Sequence, residues 1–204
     1  MSSLECLNMS NCTINSILQG DGDKAPLVKL IFAGATFMNE TQAFLHIKTN
    51  FLSLLDVSNS SLNQFCFLAD MKMIEHLNLC SSIMGDESVE LIVCIGANLK
   101  NLNLSGTRVS TAGIGILAGH VPKLEILCLS HTSIDDVALS YISLMPALKV
   151  IDLSNTNIKG MVSSMQTLNL LLIWINHEYC HIRDSFTVLL SVLLFSSGSD
   201  VQRF

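Results

Sequence analysis

The amino-acid sequence predicts an α/β solenoid, a curved stack of units in which short parallel strands alternate with turns and short helices. Two observations predict it. One apolar pattern recurs seven times at a nearly constant interval, and all three prolines lie one or two residues before a copy of it. The 204-residue chain is 50% hydrophobic and 14% charged, so it can bury a core and is not intrinsically disordered.

The repeated pattern is L-x-x-L-x-L-x-x-(C/S/T)-x-I, with positions numbered 1 to 11. Its copies start 23, 25, 22, 25, 25 and 24 residues apart. Self-similarity at a period of about 20–29 residues with this core is the signature of a leucine-rich repeat. We number the repeats 1 to 7 by their first residues: Leu4, Leu27, Leu52, Ile74, Leu99, Leu124 and Leu148.

Each repeat predicts one strand, one turn and one helix. Side chains at positions 4 and 6 share one face of a strand and point into the stack, whereas positions 3, 5 and 7 form the opposite, concave face. A single repeat cannot bury its apolar side, so neighbours must stack. Asp86, Thr111 and Asp136 are predicted helix N-caps, followed by apolar residues at helical spacing on the convex side.

The residue at position 9 is small and usually carries a hydroxyl group. We expect that hydroxyl to accept hydrogen bonds from turn N–H groups that would otherwise be buried without a partner. Repeats 3 to 7 have such a residue, namely Ser60, Ser82, Thr107, Thr132 and Thr156.

Residues 99–147, with LKNLNLSGTRVSTAGIGILAGHVPK followed by LEILCLSHTSIDDVALSYISLMPA, resemble two kinds of leucine-rich-repeat protein. These are the intracellular ribonuclease-inhibitor-like type and the cysteine-containing repeats attached to plant F-box proteins. The resemblance covers residues 4–158 and implies a protein-binding solenoid without naming a partner. No F-box sequence precedes the first repeat, so a ligase-adaptor interpretation lacks its adaptor.

The charge and the cysteine content indicate which class of partner and which cellular compartment to expect. Residues 1–158 carry 8 Lys/Arg against 14 Asp/Glu, and an acidic surface without a basic run argues against nucleic acid. Seven cysteines without a framework spacing are typical of free thiols in a reducing compartment. No secretory signal is recognisable. We therefore expect a cytoplasmic or nuclear protein, and membrane association is not favoured.

Residues 1–160 form the predicted repeat domain, and the apolar tail 161–204 departs from the pattern. The tail is either a divergent cap on the last repeat, an altered reading of the gene or truncated isoform, or a membrane-associating segment. Its apolar stretches fall short of the roughly 20 residues that a spanning helix needs.

The tail contains His177-Glu178-Tyr179-Cys180-His181, which fits the zinc-protease motif H-E-x-x-H. No histidine or glutamate follows as a third ligand, and Asp184 does not match a known spacing. We therefore predict no metal, no cofactor and no enzymatic activity. The oligomeric state is left open.

The concave face supplies the predicted functional surface. We expect an intracellular interaction module that docks a partner protein across repeats 3 to 7. The alternative is a substrate-recognition fragment of a ubiquitin ligase or immune receptor that lacks its effector domain. Asp56 and Asp152 are expected in solvent, where they would favour a basic partner. The predicted partner-binding residues are Asp56, His76, Asn78, Asn101, Asn103, Cys128 and Asp152.

Overall fold

A computed structural model of the chain describes residues 4–15, 27–39 and 49–159. All of them fall within the first of two units into which the chain divides, Met1–Trp174 and Ile175–Phe204. The second unit lies outside the described residues, as do the predicted tail 161–204 and its His177–His181 motif.

The described residues form one seven-stranded parallel sheet, with one strand in each copy of the pattern. Position 4 is in register throughout, because Leu30 pairs with Leu55, Leu55 with Leu77, and so on to Ile151. The predicted α/β repeat solenoid is therefore confirmed. The strands, in sheet order, are β1 Cys6–Asn8, β3 Lys29–Ile31, β5 Leu54–Asp56, β6 His76–Asn78, β7 Asn101–Asn103, β8 Ile126–Cys128 and β9 Val150–Asp152.

Two further strands, β2 Thr13–Ile14 and β4 Thr36–Phe37, form a second small sheet. They lie at positions 10 and 11 of repeats 1 and 2, and they pair in parallel. Repeat stacking is therefore maintained beyond the main sheet by backbone hydrogen bonds.

Backbone hydrogen bonds join adjacent repeats by one rule. The N–H groups at positions 6 and 8 donate to the carbonyls at positions 5 and 7 of the next repeat. Between repeats 5 and 6, Leu104 N–H donates to Cys128 O and Gly106 N–H to Ser130 O, both at 2.8 Å. The same two bonds occur at all six interfaces between the described repeats. The ladder thus continues past the three-residue strands into the turns.

Positions 1, 4, 6 and 11 form the apolar core. In repeat 3 the four residues are Leu52, Leu55, Val57 and Leu62, each at most 1% exposed. Equivalent side chains of neighbouring repeats belong to the same continuous core. The strand alternation predicted from sequence therefore determines which side chains are buried.

Helices connect the strands on the other side of the sheet in repeats 4 to 6. They are α1 Asp86–Ile95, α2 Thr111–Leu117 and α3 Ala138–Ile142. Most of the predicted apolar positions are buried, whereas Val93 and Ala118 are only half-buried. Shorter 3-10 turns occur at Thr49–Phe51, Cys66–Asp70 and Gly96–Asn98. No helix among the described residues combines the length and apolar character needed to cross a membrane.

Each predicted N-cap is wrong by one residue. The caps are Gly85 for α1, Ser110 for α2 and Val137 for α3. Asp86 instead reaches the next repeat, where its carboxylate accepts from Ser110 N–H at 2.8 Å and from the Ser110 hydroxyl at 2.5 Å. A Cβ atom at Gly113 would collide with this carboxylate. The acidic side chain therefore stabilises stacking rather than the start of its own helix.

Asp136 also contacts the next repeat, because its carboxylate accepts from Lys159 N–H at 2.8 Å. Thr111 donates its hydroxyl proton to Asp135 at 2.9 Å. Side chains near the helix starts therefore join repeats 5, 6 and 7.

The position-9 hydroxyls do not have the predicted main role. Thr107 donates to the carbonyl of Leu104 at 2.6 Å, and Thr132 donates to that of Leu129 at 2.5 Å. The expected acceptance from a turn N–H occurs only as a long contact, such as 3.5 Å from Val109 N to Thr107. The hydroxyl is therefore chiefly a donor that satisfies the position-6 carbonyl as the chain leaves the sheet.

Position 8 has a left-handed backbone in every repeat, with φ between 53° and 68°. This conformation reverses the chain after the strand while its N–H remains in the inter-repeat ladder. Glycine adopts it without strain and asparagine tolerates it, but other residues are disfavoured. The seven residues are Asn11, Gly34, Asn59, Ser81, Gly106, His131 and Asn155.

Replacing Ser81 by glycine should therefore stabilise the chain. Ser81 has φ 56°, and removing its Cβ relieves more strain than glycine costs in unfolded-state entropy. We expect the free energy of unfolding to rise by about 0.5–1 kcal/mol in urea denaturation. Ser81→Ala, which loses the hydroxyl but keeps the Cβ, is the control and should give no gain. An equal gain from both variants would contradict the backbone explanation.

Candidate functional site

The structure divides the predicted partner-binding residues into two groups. Asp56, Asn78 and Asn103 are buried, at 8%, 2% and 7% exposure. The expectation that Asp56 lies in solvent is therefore wrong. His76, Asn101, Cys128 and Asp152 are half-exposed.

The side chains of the buried group form hydrogen bonds with the nearby backbone. The side chain at position 5 accepts from the N–H at position 7, two residues further along. Asn78 accepts from Cys80 N–H at 3.1 Å, and Asn103 accepts from Ser105 N–H at 3.0 Å. This is the Asx turn, which asparagine and aspartate form most readily. The polar side chains at position 5 therefore end the strands.

Asp56 shows why these side chains are buried. One carboxylate oxygen accepts from Ser58 N–H at 2.9 Å, and the other accepts from the Asn78 amide at 3.1 Å on the neighbouring strand. Strands about 4.8 Å apart on both sides leave water little access. A partner could not take up this carboxylate without breaking these bonds.

Asp152 also makes the turn, yet it keeps access to solvent. Its Oδ1 accepts from Ser154 N–H at 2.9 Å and from the Ser154 hydroxyl at 2.6 Å. It lies on β9, which has a described neighbour on one side only. Asp152 therefore combines a structural role with an accessible negative charge.

The half-exposed Asn101 differs from the asparagines of position 5. It occupies position 3 of β7, and its side chain forms no hydrogen bond with another described residue. Its amide is therefore available to an external group, whereas the amide of Asn103, two residues further on the same strand, caps a turn.

A charged row that the sequence analysis did not single out lies just before the strands, at position 2. Glu75 pairs with Lys100 at 2.9 Å, and Glu125 pairs with Lys149 at 2.8 Å. These side chains are partly exposed, so each pair contributes little to stability. The signal in the sequence was the alternation of acid and base at one template position over repeats 4 to 7.

His76 lies beside this row at position 3 of β6. Burial lowers its pKa, and the nearby Lys100 and Lys29 act in the same direction, against the opposing effect of Glu75. The Lys100 hydrogen bond lowers the pKa of the Glu75 carboxyl. The imidazole is therefore neutral at physiological pH, and the glutamate is charged.

Within residues 4–15, 27–39 and 49–159, no group of three or more His, Cys, Asp or Glu side chains is placed to hold a metal ion. The concave face therefore carries a row of polar side chains, including the carboxylate of Asp152, flanked by the two ion pairs.

The chain matches no protein-family model and no curated protein sequence. Among solved structures, an internalin C2 from Listeria monocytogenes is similar over 72% of this chain and 71% of that chain, at 20% identity and a TM-score of 0.54. An internalin (inlF) from the same species covers 74% of this chain and 35% of its own, at 12% identity and a TM-score of 0.42.

Internalins are leucine-rich-repeat proteins, and the first likeness shows a fold of that kind for this chain. The narrower resemblance to ribonuclease-inhibitor-like and plant repeat proteins stays a prediction.

Substitutions of Asn78 and Asn101 test the division of the polar residues into structural and surface side chains. Asn78→Ala removes the acceptor of Cys80 N–H and the donor to a buried carboxylate, so we expect a loss of about 1–3 kcal/mol in the free energy of unfolding. Asn101→Ala, at a half-exposed position, should change it by less than about 0.5 kcal/mol. Urea denaturation of both variants checks this, and similar losses would contradict the division.

The lowered pKa of His76 predicts acid sensitivity. Between its folded pKa and its ordinary value of 6.5, the unfolded chain binds more protons. Its contribution to stability is therefore complete above pH 6.5 and is lost as the pH falls below it. Glu75 adds a further loss below its ordinary value of 4.5.

We expect the free energy of unfolding, measured by urea titration from pH 7.5 downward, to decline less steeply in His76→Gln than in the wild type. His120→Gln, at an exposed histidine, is the matched control and should retain the wild-type pH dependence. An unchanged profile in His76→Gln would assign the acid sensitivity to another group.

Proposed function

We propose that this chain is a protein-interaction module and that a partner protein docks on the concave face of repeats 4 to 7. The observation that carries the proposal is the half-exposed Asn101, free of hydrogen bonds to other described residues, beside His76 and between two ion pairs. The polar side chains of this surface belong to hydrogen-bonded strands whose spacing is fixed.

A surface built in this way suits recognition because it is already ordered before the partner arrives. Each strand is bonded to its neighbours, and the ion pairs hold long side chains in place. Preorganisation reduces the conformational entropy that a complex loses on forming. Polar groups and charges around the centre favour specificity and fast association over raw affinity.

The proposed surface is smaller than the one expected from sequence. It excludes three buried residues whose side chains make hydrogen bonds within the repeats: Asp56, Asn78 and Asn103. The accessible contacts are His76, Asn101, Cys128 and Asp152, together with the charged row at position 2. A partner that requires both aspartates as binding groups is no longer favoured, because Asp56 is buried.

The alternative from sequence, a recognition fragment of a ubiquitin ligase or immune receptor, would use the same surface. The two proposals differ in which other proteins are captured together with the partner. Recovery of ubiquitin-ligase scaffold components with the wild-type chain would identify the alternative.

The test is quantitative affinity capture from extract of the source organism with wild type, Asn101→Arg and Glu90→Arg. Asn101→Arg places a long cation at the centre of the proposed surface without removing a structural bond. Proteins retained by the wild type should lose at least about tenfold in recovery, as expected when an interface centre is disrupted. Its unfolding free energy should remain within about 0.5 kcal/mol of the wild type.

Glu90→Arg introduces the same side chain, with a change of two charges instead of one, at an exposed position of helix α1. It should leave recovery unchanged. Loss of the same proteins in Glu90→Arg, with retention in Asn101→Arg, would place the docking surface on the helical side and refute the proposal.

A further inference from the structure

The rim of the solenoid at which the strands begin differs in charge from the other described residues. We define this strand-start rim as the two residues before position 1 together with positions 1 to 3, in repeats 3 to 7. It carries four lysines against two glutamates, whereas the remaining described residues carry three Lys/Arg against nine Asp/Glu. Its residues are 50–54, 72–76, 97–101, 122–126 and 146–150. A cationic rim on an acidic chain attracts carboxylates.

Two of these four lysines have no carboxylate partner within the described part of the chain, since the ion pairs of the charged row use the other two. Both are exposed. The Lys72 ammonium donates to the carbonyl of Cys94 at 3.1 Å, and the Lys123 ammonium donates to Asn98 Oδ1 at 2.9 Å. An ammonium group has three donors, so two remain on each lysine beyond the bond to a described residue.

The side chain of Asn98 holds this part of the rim together. Its amide donates to the carbonyl of Lys72 at 3.1 Å, and its oxygen accepts from Lys123. Asn98 belongs to repeat 5 and its two partners to repeats 4 and 6, so one side chain links three repeats. The Lys123 ammonium is therefore positioned before a ligand arrives, which reduces the entropy lost on binding.

Two large apolar side chains occupy the same rim position in the preceding repeats. Phe51 and Met73 directly precede position 1 of repeats 3 and 4, as Asn98 and Lys123 do in repeats 5 and 6. They are 58% and 53% exposed. At about 4.8 Å per strand, the four equivalent positions span roughly 14 Å, the length of four or five residues of extended chain. Along that length the rim changes from apolar to cationic.

We propose that the strand-start rim binds an extended acidic segment of the partner protein, in which large apolar side chains lie next to carboxylates. The apolar side chains contact Phe51 and Met73, and the carboxylates approach Lys72 and Lys123. The inference rests on the proposed function, because it requires a docked partner, and it adds the chemistry of the docking segment.

A protein segment fits this rim better than a nucleic acid or an anionic membrane. Glu75 and Glu125 lie within the rim and repel a regular row of phosphates. Charge-driven membrane binding uses clusters of about four to eight Lys or Arg residues, and the described rim has only two lysines without a carboxylate partner. A peptide can place a few carboxylates and its apolar side chains separately.

Selection of random peptides, displayed on phage and about ten residues long, on the immobilised full chain tests the chemistry of the segment. Enriched peptides should have a net negative charge and at least one large apolar residue beside the acidic ones. Enrichment of net basic peptides, of acidic peptides without apolar residues, or of none would overturn the proposal.

Fluorescence anisotropy of the most enriched peptide then locates its site. Lys123→Glu should weaken binding at least about tenfold, because like charges repel, and Met73→Gln at least about threefold. Arg108→Glu, the same charge reversal at an exposed position beyond the end of β7, is the matched control and should change the affinity less than about twofold. No loss in Lys123→Glu, or an equal loss in Arg108→Glu, would overturn the proposal.

Lys123→Gln covers the case in which Lys123→Glu does not fold, as judged by circular dichroism. It removes the charge but keeps a donor for Asn98, so peptide affinity should still fall at least about threefold. Unchanged affinity in a folded Lys123→Gln chain would equally overturn the proposal.

Capture from extract separates this inference from the proposed function. Loss of the retained proteins in Asn101→Arg but not in Lys123→Glu would uphold docking on the sheet face and overturn the role of the rim. Loss in Lys123→Glu with retention in Asn101→Arg would refute docking at Asn101 and leave the rim proposal standing.

Two binding assays test the other occupants of the rim. The full chain should not sediment with vesicles of equal parts phosphatidylserine and phosphatidylcholine, and size-exclusion chromatography should show no dimer that Lys123→Glu dissociates. Vesicle binding abolished by Lys123→Glu would assign the rim to a membrane, and such a dimer would assign it to a second copy. Either result would overturn the proposal.

Discussion

The structure depends on two backbone hydrogen bonds that each repeat donates to the next. The N–H groups at positions 6 and 8 can reach the carbonyls at positions 5 and 7 of the neighbour only if the chain turns sharply after a three-residue strand. The left-handed backbone at position 8 produces that turn in all seven repeats, at a cost in conformational energy for Ser81 and His131. Most of the local sequence preferences follow from this geometry.

The same geometry determines which polar groups remain for binding. A position-7 N–H cannot bond within the ladder, so the side chain at position 5 folds back to accept from it, as Asn103 does for Ser105. Asparagine and aspartate at position 5 therefore have a structural role, although their place on the concave face suggests a binding role. The side chains at positions 2 and 3 do not cap a turn, so Asn101 and the Glu75–Lys100 pair are among the accessible polar groups of the sheet.

The period, the strand positions and the apolar core could be predicted from sequence, because strand alternation and repeat spacing act on backbone positions that recur in every copy. The roles of individual polar side chains could not. Alternation correctly put Asp56 on the concave face, but its burial depends on Asn78 of another strand, 22 residues away. Asp86 likewise looked like a local cap and instead bonds Ser110 in the next repeat. Periodicity predicts the face of a residue, whereas its partners depend on stacking.

A solenoid of this kind has two surfaces that differ in what they can recognise. The sheet face is bordered by ion pairs and its strands have a fixed spacing, so a partner that docks there as proposed would be selected by matching polar groups. Among the described residues, the edge of β9 carries the backbone N–H groups of Leu153 and Asn155 and the half-buried side chains of Leu153 and Ile158. Groups of this kind suit an extended apolar segment, with little dependence on side-chain identity. Such an edge would also attract other chains if it stayed open. Association through such an edge would depend on the backbone, whereas docking on the proposed surface would depend on the side chains of repeats 4 to 7.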